Sequence, residues 1–437
     1  MPNRLLILQV AALGYDLLRN HGVADCRGLR FAPADSVFPA VTCAVQGTMR
    51  TAQPPRDHGM VLNGVYLREL RRPSFWEQSS ALVRGERIWA EHRNRGGTTG
   101  MLFWQQSLGE EVDMLLSPWP VHRHGGSLVD TTHSVPASLY QDLCRDIGRP
   151  FRLRHYWGPL SSVRASRWIA DATAAVCARS DAPDLLFSYL PHLDYALQKF
   201  GPDHPRSSQS LQELLDILGA LLDNAREHGY DVLVYGDYAI GPATSVLYPN
   251  RILREAGLMA VRDADGRSYP NVHESTAFTV VDHEVAHVHL RSPQDRSRVT
   301  DVLRQGLADK VRICDGTDTF GHDLAGGRAG DLVLAGAPGT WFAYPWWTDK
   351  REAPDYANHI DIHNKPGFDP CELFFGRTPF TVSTDAAKVR GTHGAVGPSR
   401  RIAWASTLEF PTPPGSLLEL ATAVPPPPPV LHRWSAD

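Results

Sequence analysis

Leu185-Leu-Phe-Ser-Tyr-Leu190 and, one helix later, Asp231-Val-Leu-Val-Tyr235 are the stretches that decide how this chain folds. Each is an apolar run of strand length, the pattern of a strand buried on both faces. Between them Leu211, Leu214, Leu215, Leu218, Leu222 and Ala225 share one face of a helix. The spacing Ser210-Leu-Gln-Glu213 predicts its start and His228-Gly229 its end. Strand, helix and strand in this order make a βαβ unit with parallel strands and a right-handed crossover. The run Leu5-Leu-Ile-Leu-Gln-Val10, which ends at Ala-Ala-Leu-Gly14, reads as another buried strand of the same sheet. A secretory leader is the weaker reading, because no small-x-small cleavage pattern with a polar start follows it. The expected class is α/β, a mostly parallel sheet with helices on both faces.

Each strand of the unit delivers a carboxylate just past its end: Pro191-His-Leu-Asp194 after the first, Gly236-Asp237-Tyr238 after the second. Open α/β sheets bind ligands at the carboxyl ends of their strands, so the two acids are expected to meet there. Paired carboxylates suit a divalent cation; separately, each also suits a solvated loop or a helix cap. Upstream, Phe38-Pro-Ala-Val-Thr42-Cys-Ala-Val-Gln-Gly47 places a threonine where an apolar segment meets a small-residue helix start. Its hydroxyl would lie beside unpaired backbone N–H groups, a place that holds an anion. Thr42 therefore reads either as a nucleophile towards phosphorus or as an ordinary cap. His58-Gly-Met-Val-Leu-Asn63-Gly64 follows it in the chain.

Of 437 residues, 42% are hydrophobic and 21% charged, with a net charge of -4, which describes a soluble globular protein without the basic field that nucleic acid or an anionic membrane attracts. Oligomeric state is open. Six cysteines without CxxC spacing argue against a zinc ribbon or a disulfide framework and for a reducing, cytoplasmic setting. No apolar run approaches the about 20 residues of a membrane-spanning helix. The expected organisation is one domain over 1–410, interrupted by irregular insertions at about 65–158 and 242–340 that form a cap, and a Pro-rich tail over 411–437. The proline runs of that tail predict an extended polyproline II arm. Trp76, Trp89, Trp104, Trp119 and Trp157 in the first insertion suit a pocket wall or plain core packing.

Two later stretches carry ligand-type residues. His283-Glu-Val-Ala-His287 fits H-E-x-x-H, which binds zinc when helical and makes Glu284 the base of a protease. Thr279, Val280, Val281, Val285 and Val288 around it favour a strand instead, with His283, Val285, His287 and His289 on one face. On that reading His283 and His287 point at the metal site or are structural histidines. His359-Ile-Asp361-Ile-His363-Asn-Lys365-Pro-Gly-Phe-Asp369-Pro370 is a turn-rich loop dense in metal and phosphate ligands.

Taken in order, these blocks resemble the alkaline phosphatase superfamily in its nucleotide pyrophosphatase/phosphodiesterase branch. The matching pieces are Phe38 to Thr42, His58 to Gly64, Tyr189 to Asp194 with Phe200-Gly-Pro-Asp203, Gly236-Asp237, and Asp361-Ile-His363. The resemblance implies a metal-dependent hydrolase of phosphodiester, pyrophosphate or phosphomonoester bonds in a small phosphorylated metabolite. It also implies one or two divalent ions, zinc by preference. Thr42 is then the nucleophile, Asn63 and nearby backbone N–H groups hold phosphate oxygens, and Lys365 adds positive charge. Asp194, Gln198 and His363 stand at one metal position, Thr42 and Asp237 at the other. Ala11, Gln198 and Tyr238 occupy places where the family carries Asp, His and His. The chain is also similar to a bacterial sub-branch that combines Leu193-Asp-Tyr-x-Leu-Gln198, Asp237-Tyr238, Asp282-His-x-x-Ala-His287 and Asp361-Ile-His-x-Lys-Pro-Gly-Phe-Asp-Pro370. There His283 or His287 is expected to stand in for the missing ligands. The alternatives are a catalytically altered member that binds a phosphorylated metabolite or performs a non-hydrolytic step, and the zinc protease.

Overall fold

The computed structural model describes residues 4–124, 128–314, 324 and 328–425. The strands of its two larger sheets are, in chain order, β1 (Arg4–Val10), β2 (Ala32–Ala34), β3 (Thr99–Leu102), β4 (Met114–Pro118), β5 (Thr132–Val135), β6 (Leu185–Leu190) and β7 (Tyr230–Gly236). They continue with β8 (Ala277–Asp282), β9 (Val285–Leu290), β10 (Val311–Cys314), β11 (Leu332–Gly336) and β12 (Ile402–Ser406). The central sheet has eight strands in the order β5-β4-β3-β6-β1-β7-β12-β2. Five adjacent strands, β4-β3-β6-β1-β7, run parallel, with β5 paired antiparallel on one side and β12, then β2, each paired antiparallel on the other. β6 is buried along its whole length and β1 almost so, as their continuous apolar runs predict.

Five helices matter for the site: α1 (Thr42–Thr51), α2 (Val163–Cys177), α3 (His192–Phe200), α4 (Pro205–Glu227) and α5 (Leu417–Ala423). The crossover helix α4 starts before the predicted Ser210. Pro205 occupies its first turn, where the missing N–H does no harm, and the His204 ring accepts the N–H of Arg206. α2 and α4 pack against β6 and β7 respectively and against each other.

The first expected insertion contributes to the sheet. β3 and β4 extend the parallel core and β5 forms an edge, so part of 65–158 is sheet, not cap. Short strands and an uncovered β3–β4 connection hid them, since neither offers the periodicity of a βαβ repeat. The second, 242–340, holds a separate antiparallel sheet in the order β8-β9-β11-β10 over its own core. In the tail, α5 replaces an extended arm between its two proline runs: Leu417, Leu420 and Ala421 are buried in the main core and the helix packs on α1. The rest of the expected proline-rich arm, 426–437, lies outside the described residues. Among the described residues no helix is long and apolar enough to cross a membrane, and Cys26, Cys43, Cys144, Cys177 and Cys371 are free thiols.

Candidate functional site

Three chain ends meet at the carboxyl edge of the central sheet: β1 passes into Ala11, β6 into Asp194 on α3, and β7 into Asp237. Gly236 is required there, because a Cβ would lie 2.2 Å from the carbonyl oxygen of Leu13. Thr42 opens α1 after Val41 in extended conformation, and its Oγ1 donates to Asp237 Oδ2 at 3.4 Å. The same oxygen accepts Gln9 Nε2 at 3.1 Å, while Oδ1 accepts the backbone N–H groups of Ala12 and Tyr238, each at 2.9 Å. Burial, with the charge of Asp194 behind it, raises the Asp237 pKa to about 8. Asp194 is held at both oxygens, by Tyr238 OH at 3.0 Å and Gln198 Nε2 at 2.8 Å, and burial brings its pKa to about 6.

A second hydrogen-bonded chain starts at Cys43, next to Thr42, and borders the same pocket. Cys43 N–H donates to Asn63 Oδ1 at 3.1 Å; Asn63 N and Nδ2 donate to Asp282 at 2.7 and 3.3 Å. Asp282 Oδ1 in turn holds His283 Nδ1 at 2.7 Å. The donors expected to grip phosphate oxygens, Asn63 and the Cys43 amide, are thus engaged with protein acceptors. The His283 ring lies between Phe368, at 4.0 Å between ring centres, and His393, at 3.7 Å, and His393 stacks on Tyr238 at 3.4 Å. Four rings therefore run in one stack from the 361–370 loop to the carboxylate of Asp194.

One pocket is lined by Thr42, Asn63, Asp194, Gln198, His283, Lys365 and His393, with Trp76, Trp157, Tyr156 and Phe368 as aromatic walls. Three expected members do not line it: Asp237 is reached through Thr42, and His363 and His287 lie elsewhere. His363 is exposed, bonded to the Phe75 carbonyl at 3.1 Å, and faces a different groove, because the loop turns Lys365 inward two residues later. His287 lies inside β9, where its Nδ1 accepts the Gly330 amide at 2.9 Å, and His289 stacks on Tyr66. His283 is not on their face, since His283-Glu284 is the turn between β8 and β9. That hairpin also removes the protease reading: the segment is not helical, and Glu284 is bonded to Arg400 at 2.6 Å and to the Ala395 amide at 2.9 Å. Of the five tryptophans of the first insertion, Trp76 and Trp157 form walls, Trp89 and Trp104 fill the core, and Trp119 is exposed.

Lys365 is no free cation. Burial alone would lower its pKa, but Asp369 and Glu372, each at 2.7 Å, outweigh that and hold it above its ordinary value. His393 was missing from the sequence reading. Its flag is Gly391-Thr-His-Gly394: at Gly391 a Cβ would meet the Leu197 carbonyl at 2.2 Å, and Gly394 has φ 122°. Two glycines that let a histidine pass beneath α3 mark a close approach.

The donor set does not fit a pair of zinc ions. Ala11 offers a methyl group, Tyr238 and Gln198 spend their donors on Asp194, and Asp237 is saturated by four protein donors. A phenol and a neutral amide are poor zinc ligands beside imidazole. Among the described residues no three His, Cys, Asp or Glu side chains converge on one metal position.

The buried acids and histidines set opposite pH limits on stability. Asp237, with its pKa near 8 in the fold and about 3.9 when unfolded, makes the folded chain more stable as pH falls from above 8. Asp194 and Asp282, both at about 6, continue that trend lower. Burial holds His58, His283 and His287 at about 3 and His192 at about 4, while unfolded histidine protonates near about 6.5, so stability drains below that point. Burial also lowers His289 and His393, and this outnumbering makes the histidines win. The thermal midpoint is expected to peak near pH ~6.5; a midpoint still rising at pH ~5 would contradict it.

Comparison with known proteins agrees with this architecture. A crystal structure of phosphonoacetate hydrolase from Sinorhizobium meliloti 1021 with phosphonoformate superposes at a TM-score of 0.60 and 17% identity, covering 97% of this chain and 96% of that one. Murine ectonucleotide pyrophosphatase/phosphodiesterase 5 superposes at 0.53 and 14% identity, covering 92% and 87%. An inactive threonine-to-alanine variant of the murine protein, in complex with AMP, does so equally. No curated protein sequence matches the chain. The model of type I phosphodiesterases and nucleotide pyrophosphatases matches residues 18–369, most of the chain. This protein belongs to the type I phosphodiesterase/nucleotide pyrophosphatase family of hydrolytic enzymes.

Proposed function

We propose that the chain hydrolyses a phosphodiester, pyrophosphate or related phosphorus bond in a small molecule, with Thr42 as the nucleophile. The observation that carries this is the hydroxyl of Thr42 at the first residue of α1, bonded to the buried carboxylate of Asp237 and opening on the pocket. Once ionised, above its pKa of about 8, the Asp237 carboxylate accepts the Oγ1 proton and activates the alcohol, and a helix N-terminus favours the negative charge of the substrate. The inactive threonine variant of the murine relative and the AMP and phosphonoformate bound by the relatives support the same class. Trp76, Trp157 and Phe368 offer flat apolar surface to a ring or alkyl group beside the phosphorus.

The test is turnover of bis(p-nitrophenyl) phosphate with an intact-mass search for a phosphoryl adduct, located on Thr42 by peptide mapping. Product release with that adduct is the expected result. A second reading, a non-hydrolytic member that binds a phosphorylated metabolite, is favoured by the full hydrogen bonding of Asp194 and Asp237. Tight AMP binding without nitrophenol release or adduct would establish that reading instead.

A further inference from the structure

If phosphoryl transfer runs through Thr42, something must take a proton from the water that resolves the phospho-enzyme. Asp194 and Asp237 are already occupied by protein donors. Three buried acceptors of the pocket have no hydrogen-bond partner among the described residues, Gln198 Oε1 and the Nε2 atoms of His283 and His393, and only the two imidazoles are bases. Their other nitrogens distinguish them. His393 Nδ1 meets the Ala40 carbonyl at 2.9 Å, which only fixes the tautomer. His283 Nδ1 meets the Asp282 carboxylate, which fixes the tautomer and offsets part of the burial cost of the imidazolium formed when Nε2 gains a proton. Asp282 is itself held by two donors of Asn63. The His283 backbone sits at φ 55°, a conformation uncommon outside glycine, at the tip of a hairpin whose ring is clamped on both sides.

We propose that Asp282 and His283 form the proton-accepting pair of this pocket, and that they work without a bound metal ion. The inference rests on the Thr42 hydrolase reading. In the resolving step a water oxygen bonds to phosphorus and the bond from phosphorus to Thr42 Oγ1 breaks. The water's proton passes to His283 Nε2, and Oγ1 recovers from Asp237 the proton it gave up during attack. His283 then releases its proton to solvent as the product leaves. His283 is the catalytic residue here and Asp282 positions it.

The experiment uses the full chain, dialysed against EDTA and assayed for metal content, with bis(p-nitrophenyl) phosphate as probe. His283→Asn suits the positive φ and cannot act as a base; His283→Gly suits it too and leaves a ring-sized gap between Phe368 and His393. Turnover is expected to survive metal removal. His283→Asn is expected to lower kcat by about 10²–10⁴-fold with KM little changed, and to accumulate phospho-Thr42. Added imidazole should restore the glycine variant, and weakly basic pyrazole should not. A merely structural histidine gives neither the trapped adduct nor the selective rescue. Loss of turnover on metal removal with recovery on zinc overturns the inference, as does wild-type turnover in His283→Asn or a folded glycine variant that imidazole leaves silent. Each of these leaves the hydrolase reading standing. A wild-type chain that releases no nitrophenol overturns both.

Discussion

Thr42→Ala is expected to lower kcat on bis(p-nitrophenyl) phosphate by on the order of 10⁴-fold, the scale on which removing one member of a nucleophilic unit acts. The change should barely register in stability. The bond lost is the 3.4 Å contact to Asp237 Oδ2, which still holds Gln9 Nε2, and a net hydrogen bond contributes about 0.5–1.5 kcal/mol. Thr42→Ser keeps a hydroxyl over the same carboxylate and is expected to retain turnover. A structural cap behaves in the opposite way, losing stability in alanine while chemistry continues. Steady-state kinetics with thermal melts separate the two. An alanine variant that keeps more than about a tenth of the wild-type rate, a barrier change under about 1.4 kcal/mol, excludes Thr42 as nucleophile.

The inner sheet was legible because burial on both faces writes itself as unbroken apolar runs: β1, β6 and β7 fall where Leu5, Leu185 and Asp231 open theirs. The edge strands were not, since β4 and β5 meet antiparallel and neither long runs nor a crossover helix announces them. Thr42, Asn63, Asp194, Gln198 and the turn histidine His283 do line one pocket. His363 went astray for a reason composition cannot reveal. In a loop dense with His, Asp and Lys, which side chain faces inward depends on the path. Here Gly367 fixes the path by closing on β8, where a Cβ would lie 2.6 Å from Val281 Cγ2 and the Phe368 amide bonds the Val281 carbonyl. That contact turns Phe368 onto His283 and leaves His363 outside. His393 was hidden because Gly391-Thr-His-Gly394 carries no second ligand-type residue, and its ring is identified by what it stacks on.

Arg400→Ala is expected to destabilise the fold by about 3–5 kcal/mol, the range for stranding a buried charge by removing its partner. Glu284 is 2% exposed, and without Arg400 it retains only the Ala395 amide. The guanidinium also donates to the carbonyls of Ala239 and Thr392, the residues next to Tyr238 and His393, so its loss loosens the ring stack. The pH dependence follows with a definite sign. Burial raises the Glu284 pKa in the fold, against the lowering effect of Arg400. Removing Arg400 raises it further above the unfolded value of about 4.3, so the penalty stands above the folded pKa and shrinks as pH falls towards that value. The difference between variant and wild-type stability in urea should therefore narrow on acidification, which cancels the shared effects of Asp194, Asp237 and Asp282. Arg400→Lys keeps the charge, loses the fork to the two carbonyls, and belongs between the two. A loss below about 1 kcal/mol in Arg400→Ala, the scale of an exposed ion pair, would mean that water reaches Glu284 and that the hairpin tip carrying His283 is not held as rigidly as its role requires.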